Sequence, residues 1–438
     1  MVKIVTATKK YDCEHLLGKF LDDDTYDTVV NEDMDFYALS PFGEENSEKN
    51  LLFKFRKNVF SKELQQLAYD TMSAAAIRTE NRGLASGTKD GASDDAKREW
   101  VTNYQQEMLG ALVKFKNASL SGDNVIDSVR VKYPTKESRQ QSLGTDAKGI
   151  VWVISRYRGK FDFEAWVDSL IPMSPTKRAE ETEEVMKLLS DTSYGNPVNS
   201  GIAGFFTRYP RIPYMRACAF NENNPEKYNE SLPYFQLLSK KFKGLLPERY
   251  KAQSDFCKKI DSRYVVEGTV FTTLTINKTF RTAAHRDAGD LAEGFSNLTC
   301  VDNGKEYSGG WLILPEYRIA VNLRPGDLLF INNHEGIHGN TPIVEVEEGA
   351  ERISFVCYAR EGMLEGGTKE YEDCRKEFVE QCKADKSHKH WRPLFNGIFP
   401  GMFQSKEWYD FLESKLGIET LHKYHPETNR ASLEDLFA

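Results

Sequence analysis

The sequence predicts an α+β protein, with a β-rich sandwich or barrel over about 141–365 between a mainly helical region at 1–140 and a helical region at 366–438. Two observations predict it. Short runs rich in β-branched and aromatic residues recur in the middle of the chain: GIVWVI (149–154), FTTLTI (271–276), GGWLILP (309–315), RIAVNL (318–323), GDLLFI (326–331) and RISFVCY (352–358). Several are bounded by Gly or Pro, and many short strands at such spacing suit a sandwich or barrel. Helix-period patterns lie on either side of them and once before the core strands.

In chain order, Ser61 to Ile77 reads as a helix with Leu64, Leu67, Ala68 and Ala75 on related faces. It gives way to the polar run NRGLASGTKDGASDD (81–95), a candidate lid. From about Leu232 to Leu246, Phe235, Leu238, Phe242 and Leu245 form one apolar stripe that should pack on the β unit. Ser405 can cap a helix that turns Trp408, Phe411, Leu412 and Leu416 inward, and Gly417 can end it. No long Pro/Gly/Ser linker separates the regions, and there is no internal repeat.

Composition narrows the function classes. Seven cysteines, odd in number and never spaced Cys-x-x-Cys, argue against a disulfide framework and a thiolate zinc site, leaving reduced, mostly buried fillers. Nothing approaches the roughly 20 apolar residues of a membrane span, and the start lacks a signal peptide's apolar centre, so an intracellular soluble protein is expected. With 58 Lys and Arg against 66 Asp and Glu, the net charge of −8 gives no global attraction to phosphate. Local basic stretches at 240–251 and 383–392 could supply one, or could be solvated helix faces.

The chemistry concentrates after FTTLTI. RTAAHRDAGD places His285 and Asp287 two residues apart, and in extended chain such positions face the same way. A third ligand must come from elsewhere. His338 is the better candidate, because a Gly-Asn-Thr-Pro turn and then Arg352-Ile353-Ser354 follow it at fitting distance; His334 is the rival. Two histidines and one carboxylate with open positions make the facial triad of non-haem iron(II) oxygenases. Arg352 and Ser354 share one face of their strand, and a guanidinium fork beside a hydroxyl suits a carboxylate such as the distal one of 2-oxoglutarate. Each motif also has a plain structural explanation, a polar pair at a strand end or an exposed Arg and Ser; it is the series as a whole that argues for chemistry.

FTTLTINKTFRTAAHRDAGD (271–290), the stretch from Gly294 to Ile343 and RISFVCYAR (352–360) resemble the TET/JBP nucleobase dioxygenases, which oxidise the 5-methyl group of thymine or 5-methylcytosine in DNA. The resemblance spans about 205–364, and RIPYMRACAFNENNPEKY (211–228) extends it ahead of the metal motif; regions 1–140 and 365–438 match no part of that family. It implies a double-stranded β-helix, Fe(II) on His285, Asp287 and His338, and 2-oxoglutarate on Arg352 and Ser354, with O2 as second co-substrate. It also suggests that Arg216 reaches the co-substrate, although an ion-pair role is equally open, and that Asp290 and Arg360 contact a flipped base. The 5-methylcytosine oxidisers carry Asn and His at that pair, so Asp and Arg favour thymine, with an ionised Asp290 accepting from N3–H and Arg360 donating to O4; the same pair could also accept from N4 and donate to N3 of 5-methylcytosine, or be a surface ion pair. The implied reaction decarboxylates 2-oxoglutarate to succinate and hydroxylates the methyl group of a base flipped out of DNA. Two other readings remain: the same machinery acting on a small molecule or protein side chain, and a metal-holding β module without turnover.

Overall fold

The computed structural model describes residues 2–38, 46–79, 82–87, 172–174, 176–177, 180, 196–208, 212–287, 289–384 and 402–429. The expected strand 149–154, most of the lid candidate and most of the basic stretch 383–392 lie outside the described residues. The chain divides into two compact units. The first joins Met1–Asp90, Gly195–Thr207 and Met215–Lys369; the second joins Gly91–Tyr194, Arg208–Tyr214 and Glu370–Ala438.

The strands are β1 (Lys3–Thr6), β2 (Thr28–Val30), β3 (Met34–Tyr37), β4 (Leu51–Arg56), β5 (Arg78–Thr79), β6 (Val198–Arg208), β7 (Ile212–Ala217) and β8 (Thr273–Lys278). After them come β9 (Ser296–Asp302), β10 (Tyr307–Gly309), β11 (Leu312–Leu314), β12 (Ile319–Val321), β13 (Leu328–Ile331), β14 (Gly339–Asn340), β15 (Ile343–Glu345) and β16 (Arg352–Tyr358). The larger sheet runs β1-β3-β4-β13-β9-β16-β8-β6-β5, a smaller one runs β14-β11-β12-β2, and β10 pairs with β15. Helices and sheets together make a mixed α and β architecture.

The first region departs from expectation. Its described part holds five short strands and a single α-helix, α1 (Lys62–Met72), and it shares a compact unit with the β-rich segment. β4 pairs antiparallel with β13, Phe53 opposite Ile331, and β2 pairs parallel with β12, Val29 opposite Ala320. The reason lies in the ladder: β13 and β12 would otherwise leave rows of backbone N–H and C=O groups unpaired at sheet edges. In β4, Leu51, Phe53 and Phe55 are buried while their alternates are half-buried, the pattern of a strand covered on one face.

Helical expectations fare better. Ser61 Oγ accepts from the Leu64 N–H at 3.4 Å, capping α1. After α2 (Ala219–Asn223) comes α3 (Pro225–Leu245), which starts at Pro225 rather than Leu232, because a proline suits the first helical turn and the helix runs on through Pro233. Its stripe is buried as expected: Phe235 and Phe242 lie 5.4 Å, ring to ring, from Phe355 of β16 and Phe330 of β13. α4 (Pro247–Cys257) follows, and within the basic stretch Arg249 donates to the Glu48 and Lys49 carbonyls.

In the second unit, α5 (Lys369–Ala384), α6 (Lys406–Leu416) and α7 (Ile418–Tyr424) bury a cluster around Trp408, Tyr371, Phe378 and Leu412. Ser405 caps α6 by accepting from the Trp408 N–H at 3.2 Å, and Gly417 ends it at φ 81°. All seven cysteines are buried. Among the described residues no helix is long and apolar enough to cross a membrane.

Candidate metal centre

His285 and His338 face each other across a two-residue antiparallel bridge, His285 N–H to the His338 carbonyl at 2.9 Å and the reverse bond at 3.0 Å. This pairing sets their rings side by side, centroids 4.3 Å apart. Asp287, two residues on from His285, reaches the same point: its carboxylate oxygens lie 3.4 Å from His285 Nε2 and 3.9 Å from His338 Nε2. One donor atom from each of the three lies within 4.8 Å of the others.

Both Nδ1 atoms point at carbonyl oxygens, His285 at Ala283 (2.8 Å) and His338 at Gly336 (3.1 Å). A carbonyl only accepts, so each Nδ1 carries a proton and each Nε2 is the atom left to bind a metal. Asn333 holds the carboxylate, donating from Nδ2 to Asp287 Oδ2 at 3.1 Å, while its carbonyl accepts from the Asp287 N–H at 3.0 Å. Burial opposes ionisation of Asp287, but in the metal-free protein His285, its pKa raised by Asp287 against its own burial, can donate from a protonated Nε2, and together with His338 it brings the Asp287 pKa down to about 2. Metal binding would release that Nε2 proton. Burial and the neighbouring His285 push His338 down to about 4. An ionised carboxylate and a neutral imidazole are the ligating forms. His338, not His334, is the second histidine of this group.

A cavity of about 450 Å³ opens on the triad. Its floor is one face of β16: Arg352, Ser354, Val356 and Tyr358 line it, while the intervening Ile353, Phe355 and Cys357 are buried in the core shared with α3. At one end is Arg352, only 4 % exposed, whose Nε is buried with no acceptor; among the described residues no carboxylate pairs with it. Gly310 makes room for it: at φ 72° a Cβ there would sit 3.2 Å from Arg352 Cδ and Nε. A buried guanidinium without a counter-ion is costly, and a carboxylate ligand would satisfy it. With the open His-Asp-His set, these residues fit iron(II) and 2-oxoglutarate.

At the other end Asp290 and Arg360 form a second backbone bridge. Gly289 (φ 91°) leaves space for the Arg360 guanidinium, 3.7 Å from where a Cβ would be. Ser296 Oγ donates to Asp290 Oδ2 at 2.8 Å, but burial, followed by the charge of Asp287, raises the Asp290 pKa to about 8. At neutral pH its carboxyl is therefore protonated in the metal-free protein, contrary to the ionised acceptor expected from sequence.

Arg216 is the residue the structure does not bring in. It does not line the cavity; it pairs with Glu222 at 3.0 Å and donates from Nε to the Ala217 carbonyl. An alternating strand signal cannot tell which long-range partner an arginine will find. Three lining residues went unrecognised in the sequence: Asn333, Tyr358 and Arg82. Tyr358 had a signal, being in alternation with Arg352 and Ser354; Arg82 had none beyond its place in the lid candidate.

Residues 202–361 match the Tet_JBP family, described as the oxygenase domain of the 2OGFeDO superfamily. This segment is similar to the Tet_JBP oxygenase domain. Outside it, β1–β5 contribute strands to both sheets. Among curated proteins the chain is 31% identical over 239 residues to the bifunctional helicase and thymine dioxygenase JBP2 of Trypanosoma brucei brucei, covering 48% of this chain and 21% of that protein. It is 34% identical over 194 residues to the thymine dioxygenase JBP1 of Leishmania braziliensis, covering 43% and 22%. The chain thus spans about a fifth of the length of these relatives. A solved structure of NgTET1 in complex with 5mC DNA aligns over 42% of this chain and 68% of that one, at 18% identity and a TM-score of 0.35.

Proposed function

We propose that this protein is an Fe(II)- and 2-oxoglutarate-dependent dioxygenase that hydroxylates the 5-methyl group of a pyrimidine in DNA, thymine in preference to 5-methylcytosine. The observation that carries the reading is the order of groups along one cavity wall: a buried, unpaired Arg352 at one end, the triad, and the Asp290–Arg360 pair at the other. On this reading the two sheets form a double-stranded β-helix, with the metal held by His285, Asp287 and His338 and the co-substrate by Arg352 and Ser354. When bound, iron and 2-oxoglutarate supply the oxidising chemistry, converting O2 and co-substrate to succinate, CO2 and a hydroxylated C–H bond.

The chain's own residues do the positioning. A methyl group within a duplex cannot enter a cavity of this depth, so the nucleotide is flipped out at a cost of a few kcal/mol. A neutral Asp290 both donates and accepts, and so matches the N3 edge of either base. Arg360 only donates. It suits O4 of thymine and clashes with the N4 amine of cytosine, which is the physical basis for the preference. The relatives named as thymine dioxygenases support the same choice. The test is DNA carrying both bases, incubated with Fe(II), 2-oxoglutarate and O2, with nucleosides then measured by mass spectrometry. 5-Hydroxymethyluracil is expected; 5-hydroxymethylcytosine alone overturns the preference, and succinate without either product points to a small molecule or protein side chain as substrate.

A further inference from the structure

Four arginines line the cavity, and three have work already. Arg352 awaits a carboxylate, Arg360 faces the base edge, and Arg286 is tied to the Glu14 carboxylate and donates to the Glu335 carbonyl at 2.9 Å. The fourth, Arg82, comes from outside the oxygenase domain proper. It precedes a single 3-10 turn, Gly83–Ser86, that lies across the cavity as a strap. The strap is anchored at its C-terminal end through two adjacent carbonyls. The Ala283 N–H, two residues before His285, donates to the Ala85 carbonyl at 2.8 Å, and Asn196 Nδ2 donates to the Ser86 carbonyl at 2.9 Å.

Arg82 spends one donor on the Gly201 carbonyl, at 2.9 Å. Among the described residues no carboxylate forms an ion pair with it, and of its five N–H donors the rest are available to a ligand. Arg82 lines the same cavity as the metal ligands and Tyr358, and burial disfavours its charge, partly compensated by Tyr358 and Asp287. Tyr358 in turn is next to Asp290 and Arg360. Along β16, Tyr358 is six residues from Arg352, roughly 20 Å at the usual rise per residue. A co-substrate whose far carboxylate is on Arg352 leaves that end of the cavity to the substrate.

We infer that Arg82 is a specificity-determining residue on the substrate side, donating to a carbonyl oxygen of the flipped pyrimidine from a strap lying outside the oxygenase domain. This rests on the DNA-base reading above. A base oxygen fits better than a phosphate, because Arg82 lines the cavity that also holds the triad and the Asp290–Arg360 pair, where the reacting base must sit. With Arg360 it gives the substrate end two donor-only side chains, which suit the O2 and O4 carbonyls that flank N3–H in thymine; in cytosine the O4 position is an amine donor.

The experiment compares wild type, Arg82→Met and Arg82→Lys in three readouts: kcat/KM for thymine-containing DNA, KM for 2-oxoglutarate, and succinate release without DNA. A charge-assisted hydrogen bond of about 1.5–3 kcal/mol predicts a loss of about 10- to 100-fold in kcat/KM for Arg82→Met, with partial recovery in Arg82→Lys. The 2-oxoglutarate KM and DNA-independent succinate release stay at the wild-type level. A raised 2-oxoglutarate KM overturns the assignment in favour of a co-substrate anchor, and equal loss of all three readouts in both variants overturns it in favour of a purely structural strap. Wild type and variants equally active on DNA overturn it alone. A wild type that releases succinate but oxidises no DNA base overturns the substrate reading and this assignment with it.

Discussion

Replacing Arg352 by methionine should leave the metal-free protein as stable as wild type, or more so, while abolishing high-affinity 2-oxoglutarate binding. Arg352 is 4 % exposed and its Nε has no acceptor, so the folded protein holds a desolvated, unpaired donor on a charged group. Removing such a group relieves about 1–3 kcal/mol. Methionine keeps the unbranched stem that passes Gly310, so little packing is lost. In the ligand-bound protein the balance reverses. Two charge-assisted bonds to a carboxylate, each about 1.5–3 kcal/mol, correspond to at least a hundredfold rise in Kd. Arg352→Lys should also weaken binding strongly, since an ammonium lacks the two-pronged geometry. Urea denaturation of the metal-free proteins gives the stability difference, and anaerobic titration of the Fe(II) protein with 2-oxoglutarate, followed by absorption, gives the affinity. A methionine variant that is about 2 kcal/mol less stable yet binds 2-oxoglutarate normally would mean that Arg352 is a structural residue and the co-substrate anchor lies elsewhere.

Substituting His285, Asp287 or His338 by alanine should each abolish iron-dependent turnover with the fold retained by circular dichroism, whereas His334→Ala should stay active; the opposite result for the two distal histidines would reassign the ligand. Asn333→Ala removes the donor at 3.1 Å from Asp287 and should weaken Fe(II) binding about 10- to 100-fold in a metal titration, with turnover recovered at saturating iron; unchanged affinity would make Asn333 irrelevant to the carboxylate's orientation. Asp290 has a folded pKa of about 8, above its unfolded value near 3.9, so its neutral form contributes stability that is fully present at low pH and lost as pH rises towards and past 8. The metal-free protein should therefore lose stability across that window relative to Asp290→Asn, measured by thermal unfolding against pH. Parallel curves for the two proteins would show that Asp290 ionises normally.

Where chemistry depends on neighbours along the chain, the sequence was sufficient. His285 and Asp287 converge because alternate residues of extended chain share a face, and Arg352, Ser354 and Tyr358 line one wall for the same reason. Ser61 and Ser405 cap their helices through bonds that reach only three residues onward. The strands β1 to β4 were harder, because three of them are only three or four residues long, though the alternation in LLFKFR was a usable signal.

Tertiary structure decided whatever depends on partners far apart in sequence. It chose His338 over His334 by pairing one of them with His285, and sent Arg216 to Glu222 while bringing Arg82 over the cavity on a strap docked at Ala283. It also set the protonation of Asp290, whose residue type is written in the sequence but whose pKa is fixed by burial and by the charge of Asp287. Local geometry is carried by a few adjacent dihedrals, whereas burial and electrostatic neighbourhood exist only once distant segments have packed, and at this site they determine which groups donate, accept or bind metal.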